Sequence, residues 1–478
     1  MKTKMTKKLL LLAATLLLLV LTAIGIATTA TATAVDDSGS CGENVTYTFD
    51  AASGTLTISG TGDMADYWDS AASKAPWYSS RAQIQKIVIE EGVTSIGDYA
   101  FQNCSNLNLS SITIPNSIKT IGKSAFCNCQ SLTYVAIGNN VTNIGAYAFS
   151  GCYGVININI PESMIDIGAW AFQSCFKLIE IYNCSDLTIT VGSNSYGCVA
   201  FYAQNVYTPI SGKSNLIEKN GYIFYNDTNI AYLVGCNKND AALNLPSDIN
   251  GKEYSIYQYA FYNFQNADSF TIPNGVTSIG NYSFFQCNNI TSIAIPNSVE
   301  NIGSGAFSAC RRLKKVSIGN SVISIGDKAF SSCENLSNVI LPNSIATLGN
   351  YVFGWCNSLE TIYYFGTEDE WNAITKGSSW NYSAGSSTAN KTYTIEYVTY
   401  GDADGDSLVD LNDAVLVQVY LANMNFETGI SSTEVWLGAD ANGDGTINLD
   451  DAVLLATYLA NFDYDTGTSS VVLGKQSS

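Results

Sequence analysis

The chain has 478 residues, enough for several domains, with 22 basic and 41 acidic side chains and a net charge of −19. This acidic balance argues against nucleic acid or an anionic membrane surface as a partner, because both are bound through basic patches. Histidine is absent, which excludes serine–histidine and cysteine–histidine catalysis and the usual imidazole zinc sites.

Residues 1–34 have the three regions of a secretory signal peptide. Four lysines between Lys2 and Lys8 precede an apolar stretch, and the small-residue sequence TATATA ends at Ala34. We expect cleavage after Ala34, which leaves 18 basic against 41 acidic residues. The apolar stretch is also long enough to cross a bilayer, so an uncleaved anchor is the alternative. The mature protein is expected to be secreted, monomeric and without a membrane span.

The body of the chain repeats with a period of 23 residues. In each unit a short strand points Leu313, Val316 and Ile318, or their equivalents, inward, and Ile302 and Phe307 point inward from the return segment. One unit cannot bury its apolar side alone, but stacked units can, so the period predicts a solenoid with a continuous column of buried rings. The phenylalanines that mark the period are Phe126, Phe149, Phe172, Phe261, Phe284, Phe307, Phe330 and Phe353, with Phe101 in the first block.

Eight of the 13 cysteines lie three residues after these phenylalanines. Metal or disulfide chemistry is one interpretation. The favoured one is a ladder of small buried thiols, because a position that recurs in every coil serves the coil. The eight are Cys104, Cys129, Cys152, Cys175, Cys287, Cys310, Cys333 and Cys356.

Units such as ITIPNSIKTIGKSAFCNCQSLTY and IAIPNSVENIGSGAFSACRRLKK resemble the BspA-like leucine-rich repeats of bacterial surface proteins. The resemblance covers roughly residues 86–364 and implies a leucine-rich repeat solenoid in which each coil combines a β-strand with an irregular or short helical return. Its ends are expected to be closed by caps, as solenoids require. The predicted organisation is an N-terminal cap over 35–85, repeats over 86–185, irregular coils or a bulge over 186–260, repeats over 261–364, a C-terminal cap or linker over 365–399, a separate C-terminal module over 400–462 and a tail over 463–478.

The outward positions of the strands form a neutral face of hydroxyls and amides. This face has no glycosidase-type carboxylate pair and no phosphate-binding glycine loop. It suits a protein or glycan ligand held by many weak polar contacts, and a merely soluble face is the alternative. The outward residues are Ser110, Ser111, Thr113, Thr133, Tyr134, Ala136, Ile156, Asn157, Asn159, Asp268, Ser269, Thr271, Thr291, Ser292, Ala294, Lys314, Lys315, Ser317, Ser337, Asn338 and Ile340. Stacking on sugars, with packing as the alternative, is considered for Trp68, Trp170, Trp355, Trp371 and Trp380.

Two acidic loops near the C-terminus repeat after 38 residues. A calcium ion needs six to eight oxygens, and a 12-residue loop supplies them at alternate positions, with a backbone carbonyl at position 7. Residues 401–470 hold 13 acidic side chains and no basic one, so without cations the loops would repel each other. An acidic solvated tail is disfavoured, because the apolar residues after each loop need a core. Two Ca²⁺ ions are predicted, with the ligands Asp402, Asp404, Asp406, Leu408, Asp410 and Asp413 in one loop and Asp440, Asn442, Asp444, Thr446, Asn448 and Asp451 in the other.

Each loop runs into one helix, in LNDAVLVQVYLAN and LDDAVLLATYLAN, and position 12 is aspartate rather than the glutamate of an ordinary EF-hand. This combination resembles a type I dockerin over residues 400–462. The resemblance implies a small all-α calcium-binding module of two F-hand loop–helix motifs, which attaches the protein to a cohesin of a cellulosome scaffold. It also implies that either helix can dock, with the module turned by 180°. Carried over, the cohesin-binding residues are Leu411, Asn412, Val415 and Gln418 in one half and Leu449, Asp450, Val453 and Ala456 in the other.

The pairs Leu411–Asn412 and Leu449–Asp450 stand where the familiar dockerin pair is Ser–Thr, so a divergent cohesin is expected. The favoured function is a secreted, non-catalytic binding protein that serves polysaccharide degradation or adhesion at the cell surface. Because many dockerin-bearing proteins are enzymes, a carbohydrate-active enzyme is one alternative. A protease inhibitor or host adhesin on the same scaffold is the other.

Overall fold

A computed structural model describes residues 37–68, 73–106, 108–208, 214–382, 393–403, 409–422, 424–425, 430–431, 439–443, 447–463, 468–469 and 471–474. The predicted signal peptide lies outside the described residues. The chain divides into two compact units, one of residues 1–152, 161–173 and 185–187, the other of residues 153–160, 174–184 and 188–478. Among the described helices, none has the length and apolar character needed to cross a bilayer.

The first unit begins with an antiparallel cap and continues as parallel coils. Its strands are β1 (Asp37–Ser40), β2 (Val45–Asp50), β3 (Thr55–Gly60), β4 (Gly62–Asp63), β5 (Lys86–Ile89), β6 (Val93–Ile96), β7 (Ser111–Thr113), β8 (Thr120–Ile121), β9 (Tyr134–Ala136), β10 (Asn143–Ile144) and β12 (Asp166–Ile167). Strands β1, β2 and β3 pair antiparallel, and β5 joins β3 in parallel. The order β12-β10-β8-β6-β4 forms one parallel ladder, and β7 pairs with β9. A 3₁₀ helix at Pro76–Ser80 brings Trp77 into the core.

The predicted ring column is confirmed in both units. In the first, Trp77 stacks on Phe101 with ring centroids 5.6 Å apart, and the column continues to Phe172 at spacings of 5.1, 5.2 and 5.3 Å. In the second, the rings from Phe261 to Phe353 stack at 5.0, 4.9, 5.3 and 5.9 Å. These spacings match the distance between neighbouring strands, so one ring per coil fills the core.

Among the described residues, the second unit contains most of the strands and the four α-helices. It holds β11 (Asn157–Ile160), β13 (Glu180–Asn183), β14 (Asn205–Tyr207), β15 (Leu216–Lys219), β16 (Tyr222–Asn226), β17 (Ala231–Cys236), β18 (Ala242–Asn244), β19 (Tyr254–Ile256), β20 (Ser269–Thr271), β21 (Val276–Ile279), β22 (Ser292–Ile295), β23 (Asn301–Ile302), β24 (Lys315–Ile318), β25 (Ser324–Ile325), β26 (Asn338–Pro342), β27 (Thr347–Leu348), β28 (Thr361–Phe365), β29 (Thr375–Lys376) and β30 (Thr394–Tyr397). The helices are α1 (Ser195–Cys198), α2 (Glu368–Ala373), α3 (Leu411–Ala422) and α4 (Leu449–Ala460).

Two sheets organise this unit. The outward-facing sheet has the parallel order β22-β24-β26-β28-β30, and the return segments form the order β15-β16-β17-β19-β21-β23-β25-β27-β29. The register advances by one repeat at each step, as in the pairing of Ser292 with Lys315 and of Lys315 with Asn338. Two further parallel pairings complete the unit, β11-β13-β14 and β18-β20.

The segment predicted as irregular coils or a bulge, 186–260, contains antiparallel strand pairs among its described residues. Strands β15, β16 and β17 form an antiparallel meander that enters the return sheet through β19. A second small core lies beneath it, formed by Ile156, Ile179, Tyr225, Val234 and Tyr257. The expectation that Ile156 faces solvent is therefore wrong, because the meander covers it.

Backbone hydrogen bonds also stack the segment around each buried ring. Around Phe307, the N–H groups of Gly305, Phe307 and Ala309 donate to carbonyls of the next coil at 2.8, 2.7 and 2.7 Å. The residues two positions before and after each ring have left-handed backbone, for example Lys328 (φ 58°) and Ser332 (φ 61°) around Phe330. Non-glycine residues pay a steric cost there, and the three bonds per coil offset it.

The cysteine ladder consists of buried thiols. All eight lie in the core. The Sγ–H of Cys310 donates to the carbonyl of Phe284 at 3.1 Å, and that of Cys333 donates to the carbonyl of Phe307 at 3.2 Å. Burial raises the pKa of Cys310 to about 12. A repeated packing and hydrogen-bonding role accounts for the pattern.

The described residues of the segment predicted as a C-terminal cap or linker, 365–382 and 393–399, include a helix and a strand. Helix α2 begins with a reciprocal capping box, in which Thr367 accepts from the Glu370 N–H and the Glu370 carboxylate accepts from the Thr367 N–H. Strand β30 then pairs in parallel with β28. The N–H of Val398 donates to the Tyr364 carbonyl at 2.9 Å, so the ordered sheet reaches to within four residues of Asp402, the first predicted calcium ligand.

The C-terminal module is built around α3 and α4. Two short antiparallel pairs follow the helices, β31 (Met424–Asn425) with β32 (Ile430–Ser431) and β33 (Phe462–Asp463) with β34 (Thr468–Ser469). Its core includes Val417, Ala439 and Leu455. Part of the predicted tail belongs to this core, since Leu473 packs in it and the N–H of Gly474 donates to the Ala441 carbonyl at 2.7 Å.

Candidate calcium loops and docking face

The last residue of each acidic loop is a buried aspartate that organises the loop. Asp413 accepts from the N–H of Ala403 at 2.6 Å through Oδ1 and from the N–H of Asp410 at 2.7 Å through Oδ2. Asp451 accepts from the N–H groups of Asn442 and Asn448 at 3.1 and 2.8 Å. In both loops, the position-12 carboxylate therefore joins the start of the loop to the start of its helix.

The position-9 side chains cap the helices. Oδ1 of Asp410 accepts from the N–H of Asn412 at 2.6 Å, and Oδ1 of Asn448 accepts from the N–H of Asp450 at 2.7 Å. At α4 the side chain of Asp451 returns a bond to the Asn448 N–H, completing a capping box. These local bonds explain why each helix begins directly after its loop.

Three described carboxylates of the two loops are buried, and among the residues that the structure describes no group of three or more acidic or cysteine side chains is gathered at one point. Asp402, Asp413 and Asp451 are almost fully buried, and no lysine or arginine occurs between residues 401 and 470 to offset their charge. Buried carboxylates without a side-chain cation are costly, and a divalent ion removes that cost. Four more predicted ligands are described in the same two loops: Asp410, Asp440, Asn442 and Asn448. The remaining predicted ligands lie outside the described residues, namely Asp404, Asp406, Leu408, Asp444 and Thr446.

The predicted cohesin-binding residues lie on exposed faces of the two helices. Leu411 and Leu449, at equivalent positions, are 71% and 69% exposed. Val415 and Val453 are also apolar residues that lie on the exposed side of their helices rather than on the buried side. Asn412, Gln418, Asp450 and Ala456 complete the exposed set. The module thus presents two similar apolar faces.

The solenoid face is polar and mostly accessible. Every outward residue predicted from the strands is exposed or half-buried except Ile156. The basic residues Arg311 and Arg312 are exposed, and Arg311 forms an ion pair with Glu334 at 3.5 Å. They belong to a solvated charged surface.

The tryptophans considered for sugar stacking divide into two groups. Trp371 is buried in the C-terminal cap, and Trp380 packs edge-on against it with ring centroids 5.7 Å apart. Trp355 stacks on Tyr351 at 5.7 Å. Only Trp68 and Trp170, at 61% and 44%, are strongly exposed among the five. Structural packing accounts for Trp371 and Trp380.

Comparison with known proteins identifies both modules. The BspA type leucine rich repeat region matches in six copies over residues 76–199 and 254–373, and the dockerin type I domain matches residues 400–460. Both kinds of module are typically non-catalytic. No curated protein matches the sequence.

Several solved structures are similar to the chain. A leucine-rich repeat protein from Eubacterium ventriosum is 25% identical, covers 76% of this chain and 93% of its own, and has a TM-score of 0.36. A leucine rich cell surface protein from Faecalibacterium prausnitzii is 21% identical, with coverages of 70% and 96% and a TM-score of 0.28. The pneumococcal vaccine antigen PcpA is 17% identical, with coverages of 77% and 100% and a TM-score of 0.30. Since the repeat matches span more than half of the residues, the chain belongs to the BspA-type leucine-rich repeat family, and it carries a C-terminal type I dockerin domain.

Proposed function

We propose that this protein is a secreted, non-catalytic binding protein that the dockerin attaches to a divergent cohesin in a calcium-dependent manner. The observation that carries the proposal is the pair of exposed apolar faces headed by Leu411 and Leu449, each directly after an acidic loop. Apolar side chains this exposed are typical of a surface that a partner covers. Two similar faces support docking through either helix.

Calcium would act by neutralising the loop carboxylates. Two ions, one for each loop, fit the repeated ligand pattern. Asp402, Asp413 and their counterparts would hold the ions, while the hydrogen bonds from Asp413 and Asp451 to loop N–H groups keep each loop joined to its helix. Because calcium binding and loop ordering are coupled, the docking faces would be well formed only in the calcium-loaded protein.

The solenoid would supply the recognition function. Its outward strands offer hydroxyl and amide groups, such as those of Ser269, Thr271 and Ser292, which suit a protein or glycan ligand. The absence of histidine removes several catalytic mechanisms, and the two modules are of non-catalytic kinds. The proposed division places ligand recognition in residues 37–398 and scaffold attachment in residues 400–474, at the cell surface through the scaffold.

The first prediction concerns the two faces. Binding of the mature chain to a panel of cohesins would be measured by isothermal titration calorimetry with calcium and with EGTA. The variants are Leu411→Ala/Val415→Ala, Leu449→Ala/Val453→Ala and the combination of all four. Each double variant should retain binding within about 3-fold, since the other face remains, whereas the quadruple variant should lose more than about 100-fold, the usual effect of removing the anchors of an interface.

The control is Ile323→Ala, which removes an exposed apolar residue of the solenoid. It should leave cohesin affinity unchanged. Strong loss from one double variant alone would contradict interchangeable docking, and cohesin binding that persists in EGTA would contradict calcium dependence.

A further inference from the structure

The dockerin follows the solenoid without a long flexible connection. Val398 is hydrogen-bonded into the last strand pair, and Asp402 already belongs to the first loop. Between them, the ring of Tyr400 stacks on Phe365 of β28 with centroids 4.2 Å apart. The connection itself is therefore packed against the sheet.

Two asparagines of neighbouring coils hold one carbonyl of the second calcium loop. The Nδ2 groups of Asn297 and Asn320 both donate to the carbonyl oxygen of Gly443, each at 2.9 Å. Asn320 also donates to the Gly474 carbonyl at 3.1 Å and accepts from the Tyr400 hydroxyl at 2.5 Å. The coil thus binds the loop and the segment packed behind it.

The repeat fixes the orientation of these amides. Asn297 and Asn320 occupy the same position in successive coils, two residues after the ends of strands β22 and β24, and the N–H of Asn320 donates to Oδ1 of Asn297 at 2.6 Å. This bond occupies the amide oxygen of Asn297 and leaves its Nδ2 to point at Gly443. The same ladder bond occurs in the first unit, where the N–H of Asn139 donates to Oδ1 of Asn116 at 2.8 Å.

Gly443 is shaped for this contact. It is the fourth residue of the second loop, between the predicted ligands Asn442 and Asp444, and its backbone is left-handed with φ 72°. A side chain there would collide with the amide of Asn320, and it would also meet the ring of Tyr400 at 3.0 Å. Only glycine permits both the conformation and the close approach. A cavity of about 250 Å³ beside this contact is lined by Ser317, Ile340 and Asp440.

We propose that Asn297 and Asn320 are positioning residues for the second calcium loop, so that the solenoid raises the calcium affinity of that loop. This inference rests on the proposed calcium function. Ordering a loop around an ion costs conformational entropy, and two donors that already fix the loop backbone reduce that cost. Groups behind the ligands of a metal site commonly change its affinity about 10- to 100-fold.

The experiment isolates each loop within the mature chain, residues 35–478. Asp404→Ala/Asp406→Ala inactivates the first loop and leaves the second, and Asp440→Ala/Asp444→Ala does the reverse. Calcium titration calorimetry then compares Asn297→Ala/Asn320→Ala in both backgrounds. We expect about 10-fold weaker calcium binding at the second loop and no change at the first. The matched control is Asn116→Ala, which removes the exposed side chain whose Oδ1 accepts the ladder bond of the first unit.

Unchanged affinity at the second loop would overturn the inference, and so would equal weakening at both loops, which would indicate general destabilisation. If neither loop of the parent chain binds calcium, the proposed function fails instead. Should the alanine variant not fold, Asn297→Asp/Asn320→Asp keeps the side-chain size while replacing the donors with acceptors, and it should weaken the second loop as well. Hydrogen exchange over residues 439–443 gives an independent readout, with faster exchange expected in either variant.

Discussion

At the residue scale, the thiols of the cysteine ladder combine two roles. Each is small and buried in the core, and Sγ–H groups of the ladder also donate to carbonyls of the preceding coil, as Cys310 does to Phe284 and Cys356 to Phe330. Those carbonyls lie in the core, where an unsatisfied acceptor is costly. Alanine at this position would leave a small gap in the core and would remove the Sγ–H hydrogen-bond donor. This explains why cysteine recurs at this position.

Because burial raises the pKa of Cys310 from 9.0 to about 12, stability should fall in alkaline solution. Below pH 9 the thiol is protonated in both states, so its contribution is complete. As the pH rises from 9 toward 12, the unfolded chain loses the proton first, and the stabilisation is progressively lost. Cys310→Ala should lower the free energy of unfolding by about 1–2 kcal/mol at pH 7. The difference between this variant and the parent chain should shrink as the pH rises.

Urea unfolding at pH 7, 9 and 10.5 measures that difference. Ser308→Ala is the control, because it removes a buried hydroxyl of the same coil that does not ionise in this range. If the free energies of unfolding of Cys310→Ala and the parent chain differ by the same amount at all three pH values, the expectation is contradicted.

At the element scale, each coil combines features that the sequence predicts with one that it does not. The inward residues Leu313, Val316 and Phe307 follow from hydrophobic spacing, and all are buried. The left-handed positions beside the rings were not predicted, because residues such as Lys328 and Ser332 stand there instead of glycine. Their conformation is imposed by hydrogen bonds between coils, which single-sequence propensity does not contain.

Lys328 offers a direct test of that imposed strain. It is exposed and left-handed, and the equivalent residue of the preceding coil is Gly305. Lys328→Gly should stabilise the protein by about 0.5–1 kcal/mol, since relief of the left-handed strain exceeds the entropy that glycine adds to the unfolded chain. Lys328→Ala is the control and should be nearly neutral, because alanine has the same steric cost. Denaturant midpoints compare the three proteins, and destabilisation by Lys328→Gly would refute the expectation.

At the scale of the whole molecule, the sequence predicts the two modules but not the contacts that join their segments. The 23-residue period and the loop spacing identify the coils, the calcium loops and the exposed helix residues. The meander over Ile156 and the packing of Leu473 depend on contacts between distant segments. The bond from Asn297 to Gly443 joins residues 146 positions apart, and neither residue type by itself indicates a partner.

Calcium removal should therefore lower the stability of the dockerin and leave the stability of the coils unchanged. The coils are held by an apolar core that contains no calcium ligand, whereas residues 401–470 carry 13 acidic and no basic side chains. With calcium at about 100 times its dissociation constant, each bound ion should stabilise the dockerin by about 2.7 kcal/mol, because the ions bind only its folded state. Differential scanning calorimetry should show a lower transition that rises with calcium and falls in EGTA, and an upper one that stays constant. In Asp413→Asn/Asp451→Asn the lower transition should no longer respond to calcium, since both loops lose a buried carboxylate. If the parent chain melts identically in calcium and in EGTA, calcium binding is not coupled to dockerin folding. That result would not affect the description of the stacked coils, whose core contains no calcium ligand.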